Sequence, residues 1–193
     1  MSARSGLPRA ADVVVAALGL ALTAPFLLLV MTTIRLDSRG PAIYRQKRVG
    51  RGGVEFELYK LRTMVEGADP VGIGTAVPAD DPRVTRVGRV LRRFSLDELP
   101  NLFNVVRGEM SIIGPRPTIP AQVELYSPEQ RRRLEVEPGI TGWAQINGRV
   151  GIPWEERIEL DVWYVENRSL GLDLKILAKT ARLLATGHGL DPD

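Results

Sequence analysis

The chain has 193 residues, enough for one ordinary domain with an appendage, and its 44% apolar and 25% charged residues exclude a disordered tail. It holds no Cys and a single His, His188, which excludes a disulfide framework, Cys-ligated zinc and a thiol nucleophile. A Ser-His-Asp triad or His-rich metal site would have to use that one imidazole.

The net charge of +3 is unevenly spread. Residues 1–62 carry ten Lys and Arg against four Asp and Glu; residues 63–193 carry sixteen against nineteen. A basic front end beside an apolar segment points to anionic lipid headgroups. Nucleic acid is disfavoured, since no nucleic-acid-binding motif accompanies the charge.

From Val13 to Ile34, 22 consecutive residues carry no charge. As a helix this stretch is about 33 Å long, close to a bilayer's hydrocarbon core. A cleaved signal peptide fits poorly, because Leu22 is too large for the −3 position of a cut after Ala24 and Pro25 would follow the cut. Pro25 removes a backbone hydrogen bond and is expected to kink the helix. Arg4 and Arg9 precede the run, and Arg35, Arg39, Arg45, Lys47, Arg48 and Arg51 follow it. Basic flanks on both sides pull both ends to the cytoplasmic face. Composition leaves a spanning anchor and a re-entrant helix both open, because Pro is common in spanning helices.

Residues 42–44 and 54–61 have strand-like composition, with Gly50, Gly52 and Gly53 as the turn between them. Lys60 and Arg62 point to one face at strand spacing, as candidate substrate contacts or as a solvated strand face. Residues 66–82 form a loop rich in Gly, Pro and Asp. A basic helix is predicted over 83–94, with Arg86, Arg89 and Arg93 near one face. A second runs from about Ser95 to Arg107 and ends at Gly108. Residues 110–117 read as a short apolar strand entering a Pro-fixed loop. Ser127-Pro128-Glu129-Gln130 is a helix start, with Ser as N-cap, Pro at N1 and Gln at N3. Residues 137–151 are Gly-rich and irregular. Helices follow over 154–166 and about 172–185, the last with Leu172, Ile176, Leu183 and Leu184 broadly on one side.

Chemistry concentrates in Ser95-Leu96-Asp97-Glu98-Leu99-Pro100. One reading is structural: Ser95 and Glu98 form a capping box, or Asp97 is the N-cap and Pro100 sits at N3. The functional reading uses the same geometry. Adjacent carboxylates in a helix's first turn lie among unpaired N–H groups at the positive end of the dipole, where a phosphate is also welcome. A hard cation such as Mg²⁺ would bridge carboxylate and phosphate oxygens, and an Asp could attack phosphorus. Arg92 and Arg93 precede the pair as candidate phosphoryl contacts. In Gly114-Pro115-Arg116-Pro117 the prolines hold one guanidinium in a rigid turn. Trp143 to Arg149 (WAQINGR) is either a nucleotide or acceptor loop or a packed Trp beside a turn. No G-x-G-x-x-G after a strand and no Walker loop occurs.

Taken together and in order, SLDELPNLFNVVRGEMSIIGPRP, EPGITGWAQINGR and LDVWYVENRSLGLDLKIL resemble the bacterial sugar transferases of the monotopic phosphoglycosyl transferase superfamily. The likeness extends to the apolar helix and IYRQKRVGRGGVEFELYKLRTM, about residues 8 to 186, in the minimal catalytic form without the larger relatives' extra N-terminal domains. It implies an α+β fold: a re-entrant membrane helix (1–36) and a cytoplasmic catalytic domain (37–193), helix-rich, with short β-elements and amphipathic surface helices, at the inner membrane. It implies that a nucleoside-diphosphate sugar, a UDP-sugar, gives its phosphosugar to polyprenol (undecaprenyl) phosphate and leaves a nucleoside monophosphate, in polysaccharide or glycoconjugate biosynthesis. By that likeness Asp97 matches the nucleophile, Glu98 its partner in an Asp-Glu dyad, and Mg²⁺ the cofactor, with Asp97 as a metal ligand. Lys60, Arg92 and Arg116 match the family's basic positions; Arg62 and Arg149 complete the candidate substrate contacts. Nucleotide sugar, polyprenol phosphate and membrane lipids are the implied partners, and the sequence leaves oligomerisation open. Rivals are a nucleotide-sugar phosphodiesterase and an inactive membrane scaffold. One departure is Ala24-Pro25 in place of the family's Ser-Pro break, which leaves the bend to Pro25 and Thr23.

Overall fold

A computed structural model describes residues 6–68, 77–78, 80–148 and 152–186. Arg149 and His188 lie outside the described residues, as does part of the loop predicted over 66–82.

Helix α1 spans Arg9–Asp37, 29 residues with Pro25 inside it. Its length is about 43 Å, and it is long and apolar enough to cross a membrane. Helical hydrogen bonding continues past Pro25, and Thr23 Oγ1 donates to the Gly19 carbonyl at 2.6 Å. Along one stripe α1 buries Asp12, Ala16, Val30 and Ile34, while Leu18, Leu22, Leu28 and Leu29 on other faces stay exposed.

Strands β1 (Ile43–Val49) and β2 (Glu55–Leu61) pair antiparallel, with Ile43 opposite Leu61 and Val49 opposite Glu55. The turn between them is a 3₁₀ piece, Arg51–Gly53. Helix α2 (Arg86–Arg93) starts three residues later than predicted. Asp81 binds the Arg83 backbone and side chain in a turn, so the N-cap falls to Thr85, whose hydroxyl accepts from Gly88 N at 2.9 Å.

The helix predicted from Ser95 is broken. Leu96–Glu98 is a 3₁₀ turn and helix α3 covers only Asn101–Arg107, closed by Gly108 at φ 90°. Strand β3 (Ser111–Ile113) leads into the Pro-Arg-Pro loop, and helices α4 (Pro120–Val123) and α5 (Pro128–Arg131) follow. The Ser127 capping box is formed in full. The stretch read as irregular contains strand β4 (Gly139–Thr141), parallel to β3, and helix α6 (Trp143–Asn147). A Cβ on Gly139 would strike the Gly114 nitrogen, so these two backbones cross only because both residues are glycine. Helices α7 (Trp154–Asn167) and α8 (Leu170–Thr186) complete the chain.

Three apolar clusters form the core. Ala16 of α1 joins Phe56, Leu58, Val105 and Met110; Val30 and Ile34 join Ala42, Leu61 and Leu91. The third holds Ile113, Ile146, Tyr164 and Ile176. The result is a helix-rich α+β fold in which both halves of the apolar helix contribute to the core.

Polar contacts fasten the two ends of α1 to the same domain. Arg9 donates to the carbonyls of Met110 (2.7 Å) and Val105, and buried Asp12 accepts from Ser111 Oγ (2.7 Å) and Ile112 N (3.1 Å). At the far end Asp37 accepts from Val87 N at 3.1 Å. Arg62, expected among the substrate contacts, is only 6% exposed. Its guanidinium donates to the carbonyls of Ile34, Arg39 and Ser38, the last at 2.8 Å. Arg62 thus caps the C-terminus of α1, where a cation offsets the negative end of the dipole.

Candidate active site

Asp97 and Glu98 sit in the 3₁₀ turn between α2 and α3. The capping box expected from Ser95 is absent: Ser95 is left-handed at φ 53° and makes no side-chain cap. Asp97 is not an N-cap either; Pro100 holds that position for α3, without a side-chain cap. Glu98 is drawn elsewhere. Its Oε1 accepts from Lys60 Nζ and from Arg116 Nη2, each at 2.7 Å. These partners come from β2 and from the Pro-Arg-Pro loop, so the turn is clamped between two distant segments.

The two carboxylates have opposite electrostatics. Burial pushes Glu98 up, but the charges and hydrogen bonds of Arg116 and Lys60 outweigh it and hold the group well below the ordinary range. Asp97 is raised, by burial first and by Glu98, against the pull of Lys60, Arg116 and Arg92. Among the described residues no hydrogen bond to the Asp97 carboxylate is formed. The dyad therefore has one committed member and one free one.

Arg92 approaches from α2, with Nε on Thr63 Oγ1 at 3.0 Å. Burial lowers its guanidinium, against the attraction of Asp97. Arg93 turns away and lies 5.7 Å from the Phe94 ring centroid. Arg48, read in the sequence only as part of a basic flank, belongs to the cluster: Nη1 donates to Pro117 O at 3.1 Å and Nη2 to Gln46 Oε1 at 2.6 Å. Burial and the neighbouring Arg116 lower it to about 10.

Behind the Pro-Arg-Pro loop lies an ion pair that no local spacing announced. Arg133 and Asp161 are both buried and bonded to each other; Arg133 also donates to the Tyr126 hydroxyl and, at 2.9 Å, to the Arg116 carbonyl. The Tyr126 hydroxyl in turn donates to Thr118 Oγ1 at 3.1 Å. This network fixes the backbone that presents Arg116.

A cleft of about 1,390 Å³ joins these groups. Lys60, Arg92, Asp97, Glu98 and Arg116 line it, together with Met31 and Arg35 of α1 and with Gln145, Arg157 and Thr180 of α6, α7 and α8. That is room for a nucleotide sugar beside a lipid phosphate. The described residues contain no group of three or more acidic or imidazole side chains that would cage a metal ion. A free Asp97 carboxylate still suits Mg²⁺, which keeps several waters and binds through one or two carboxylates together with substrate phosphates.

The sequence model described as bacterial sugar transferase matches residues 3–187. The chain is 46% identical to the uncharacterized sugar transferase EpsL of Bacillus subtilis, over 95% of this chain and 90% of that one. It is 47% identical to the UDP-glucose:undecaprenyl-phosphate glucose-1-phosphate transferase of Caulobacter vibrioides, over 92% of this chain and 69% of that protein. It is 38% identical to the undecaprenyl-phosphate galactose phosphotransferase of Salmonella typhimurium, over 95% of this chain and 41% of that protein. The match over nearly the whole length makes the chain a member of the bacterial sugar transferase family, within the phosphoglycosyl transferase superfamily.

Proposed function

We propose that the protein moves a phosphosugar from a UDP-sugar to undecaprenyl phosphate and releases UMP, in two displacements. Asp97 Oδ attacks the phosphorus that bears the sugar; the bond from that phosphorus to the bridging oxygen breaks, and UMP leaves with the electron pair. A lipid phosphate oxygen then attacks the same phosphorus, the Asp97–phosphorus bond breaks, and Asp97 is restored as the sugar departs on the lipid diphosphate. The observation that carries this reading is the asymmetry of the dyad: Lys60 and Arg116 hold Glu98, while among the described residues no hydrogen bond is made to Asp97. A nucleophile needs an oxygen lone pair that is not already committed, and a partner tied to two cations fixes the turn that carries it. Lys60, Arg92 and Arg116 offset the charge gathering on phosphoryl oxygens. Asp97, together with substrate phosphates, would hold Mg²⁺, which would supply further neutralisation of that charge.

We further infer that α1 enters and leaves the membrane by one face, with the domain on the cytoplasmic side of the inner membrane. The attachment of both α1 ends to one domain supports this, since a spanning helix would carry Arg9 and Asp12 across the bilayer, away from Met110 and Ser111. Single Cys residues at Ser2 and Ser38 should both resist a membrane-impermeant thiol reagent in intact cells. Labelling of the Ser2 position alone from outside contradicts the re-entrant reading.

The functional test is a panel of nucleotide sugars with undecaprenyl phosphate, following nucleoside monophosphate release. Multiple-turnover release that requires the lipid, with at most one equivalent per protein in its absence, supports transfer. Equal multiple-turnover release without lipid indicates a phosphodiesterase, and no release with any donor indicates a scaffold.

A further inference from the structure

The cleft lining contributed by α6 contains a polar group that the two displacements do not use. Gln145 borders the cleft, yet among the described residues both its Oε1 and its Nε2 are buried with no hydrogen-bond partner. Buried polar groups are nearly always paired, so a carboxamide idle at both ends calls for an explanation. Its position relates it to the reacting centre. Gly142 is packed against the Gly114 carbonyl, and a Cβ on Gly142 would also lie 2.7 Å from Gln145 Oε1. Gln145 Oε1 and the Gly114 carbonyl, at the start of the Pro-Arg-Pro turn, therefore both lie against Gly142. Nearby, Arg157 Nε is held by the Ile152 carbonyl at 3.0 Å, and no carboxylate among the described residues forms an ion pair with its guanidinium.

We propose that Gln145 is a specificity-determining residue that reads a paired donor and acceptor on the nucleotide-sugar donor, with Arg157 beside it taking a donor phosphate. This rests on the transfer reaction proposed above. A carboxamide offers one N–H donor and one carbonyl acceptor in a plane, complementary to the imide edge of a uracil base or to neighbouring sugar hydroxyls. Arg157 lines the cleft with no ion-pair partner among the described residues; burial first and Arg116 next lower its guanidinium, against the attraction of Asp161, so an arriving phosphate offsets what Asp161 does not. The cleft lining also includes Met31 and Arg35 of α1, the apolar helix, which suit the lipid phosphate. Idle buried polar groups are destabilising in the free protein, and a site that hydrogen-bonds a substrate rejects analogues lacking the matching groups.

The test uses the full chain with UDP-glucose as donor and undecaprenyl phosphate as acceptor, comparing wild type with Gln145→Met and Gln145→Glu. Gln145→Met nearly preserves volume and removes the unpaired amide, so its Tm should match or exceed wild type. Its KM for UDP-glucose should rise about tenfold, with the KM for undecaprenyl phosphate within twofold. Two further arms locate the contact. Loss of the wild-type preference for UDP-glucose over CDP-glucose assigns Gln145 to the base, because cytosine lacks the imide N–H. Loss of the preference between UDP-glucose and UDP-galactose assigns it to sugar hydroxyls. Unchanged donor KM in both variants, or a rise confined to the lipid's KM, overturns the proposal. If Gln145→Met fails to fold, Gln145→Glu alone decides on the same readouts. Should wild type release no UMP from any nucleotide sugar, the transfer reading itself falls; turnover with unaltered Gln145 kinetics removes only the role of Gln145.

Discussion

The cleft and the apolar helix use charge in opposite ways. Along α1 every polar anchor is spent: Arg9 on two carbonyls, Asp12 on Ser111 and Ile112, Asp37 on Val87, and Arg62 on the three carbonyls at the helix end. In the cleft the balance is left open: among the described residues Asp97 accepts no hydrogen bond, and Arg157 forms no ion pair, although Asp161 attracts it from beyond contact distance. Glu98 is the hinge between the two habits, a fully spent charge placed next to an unspent one. Spent charges hold geometry, and unspent ones keep their free energy for substrates.

This contrast separates loss of chemistry from loss of fold. The largest effect is expected at Asp97. Asp97→Asn should lower turnover by about four orders of magnitude or more, as for other covalent nucleophiles, with Tm unchanged because no bond to the domain is lost. A purified variant with near wild-type UMP release would break the comparison on its cleft side. Next is Asp12→Ala, which strands a buried hydroxyl and a backbone N–H. It should cost about 3 kcal/mol, a fall in Tm of roughly 6–12 °C by thermal shift in detergent. The donor KM of the molecules that remain folded should be unchanged.

Arg116→Lys comes third. A flexible ammonium cannot reproduce a guanidinium held by a rigid turn and a buried ion pair, and kcat/KM should drop about tenfold at constant Tm. Unaltered kinetics would reduce the loop to a structural turn. The smallest effect is a displacement in pH. In the proposed reaction Asp97 acts as the anion, and burial raises its pKa. The acid limb of kcat/KM should therefore lie above the ordinary Asp value of about 3.9. Arg92 favours the anion, so Arg92→Leu should move that limb to higher pH, whatever it does to the plateau. A limb that stays in place or moves down would show that Arg92 does not face Asp97.

Two similar patterns in the sequence show what local reading can reach. Ser127-x-x-Gln130 and Ser95-x-x-Glu98 both spell a capping box. The first forms, because no distant group competes for Gln130, whose Oε1 accepts from Ser127 N at 3.0 Å. The second does not, because Lys60, 38 residues away, and Arg116, 18 residues away, claim Glu98. Strands β1, β2 and β3, the long apolar helix, α7 and α8 were legible from composition, periodicity and turn residues, whereas β4 was hidden in a Gly-rich stretch that read as irregular. The placement of Arg62 was not, since strand spacing cannot show that β2 ends at Leu61 beside the carbonyls of α1. Nor was the Arg133–Asp161 pair, which joins segments 28 residues apart and has no local signature. In the candidate site, the structure brings Lys60, Arg92, Asp97, Glu98 and Arg116 to one cleft, and their contacts with one another were not readable from the sequence. Those contacts decide which carboxylate the fold leaves without a hydrogen bond among the described residues.

The central claim is that Asp97 carries the phosphosugar. Its most direct test is intact-protein and peptide mass spectrometry of the full chain incubated with UDP-glucose and Mg²⁺ without lipid acceptor. A phosphoglucose adduct should appear on the peptide containing Asp97, be absent from Asp97→Asn, and disappear when undecaprenyl phosphate is added. An adduct on Glu98, or lipid-dependent turnover by wild type with no adduct under single-turnover trapping, would contradict the account.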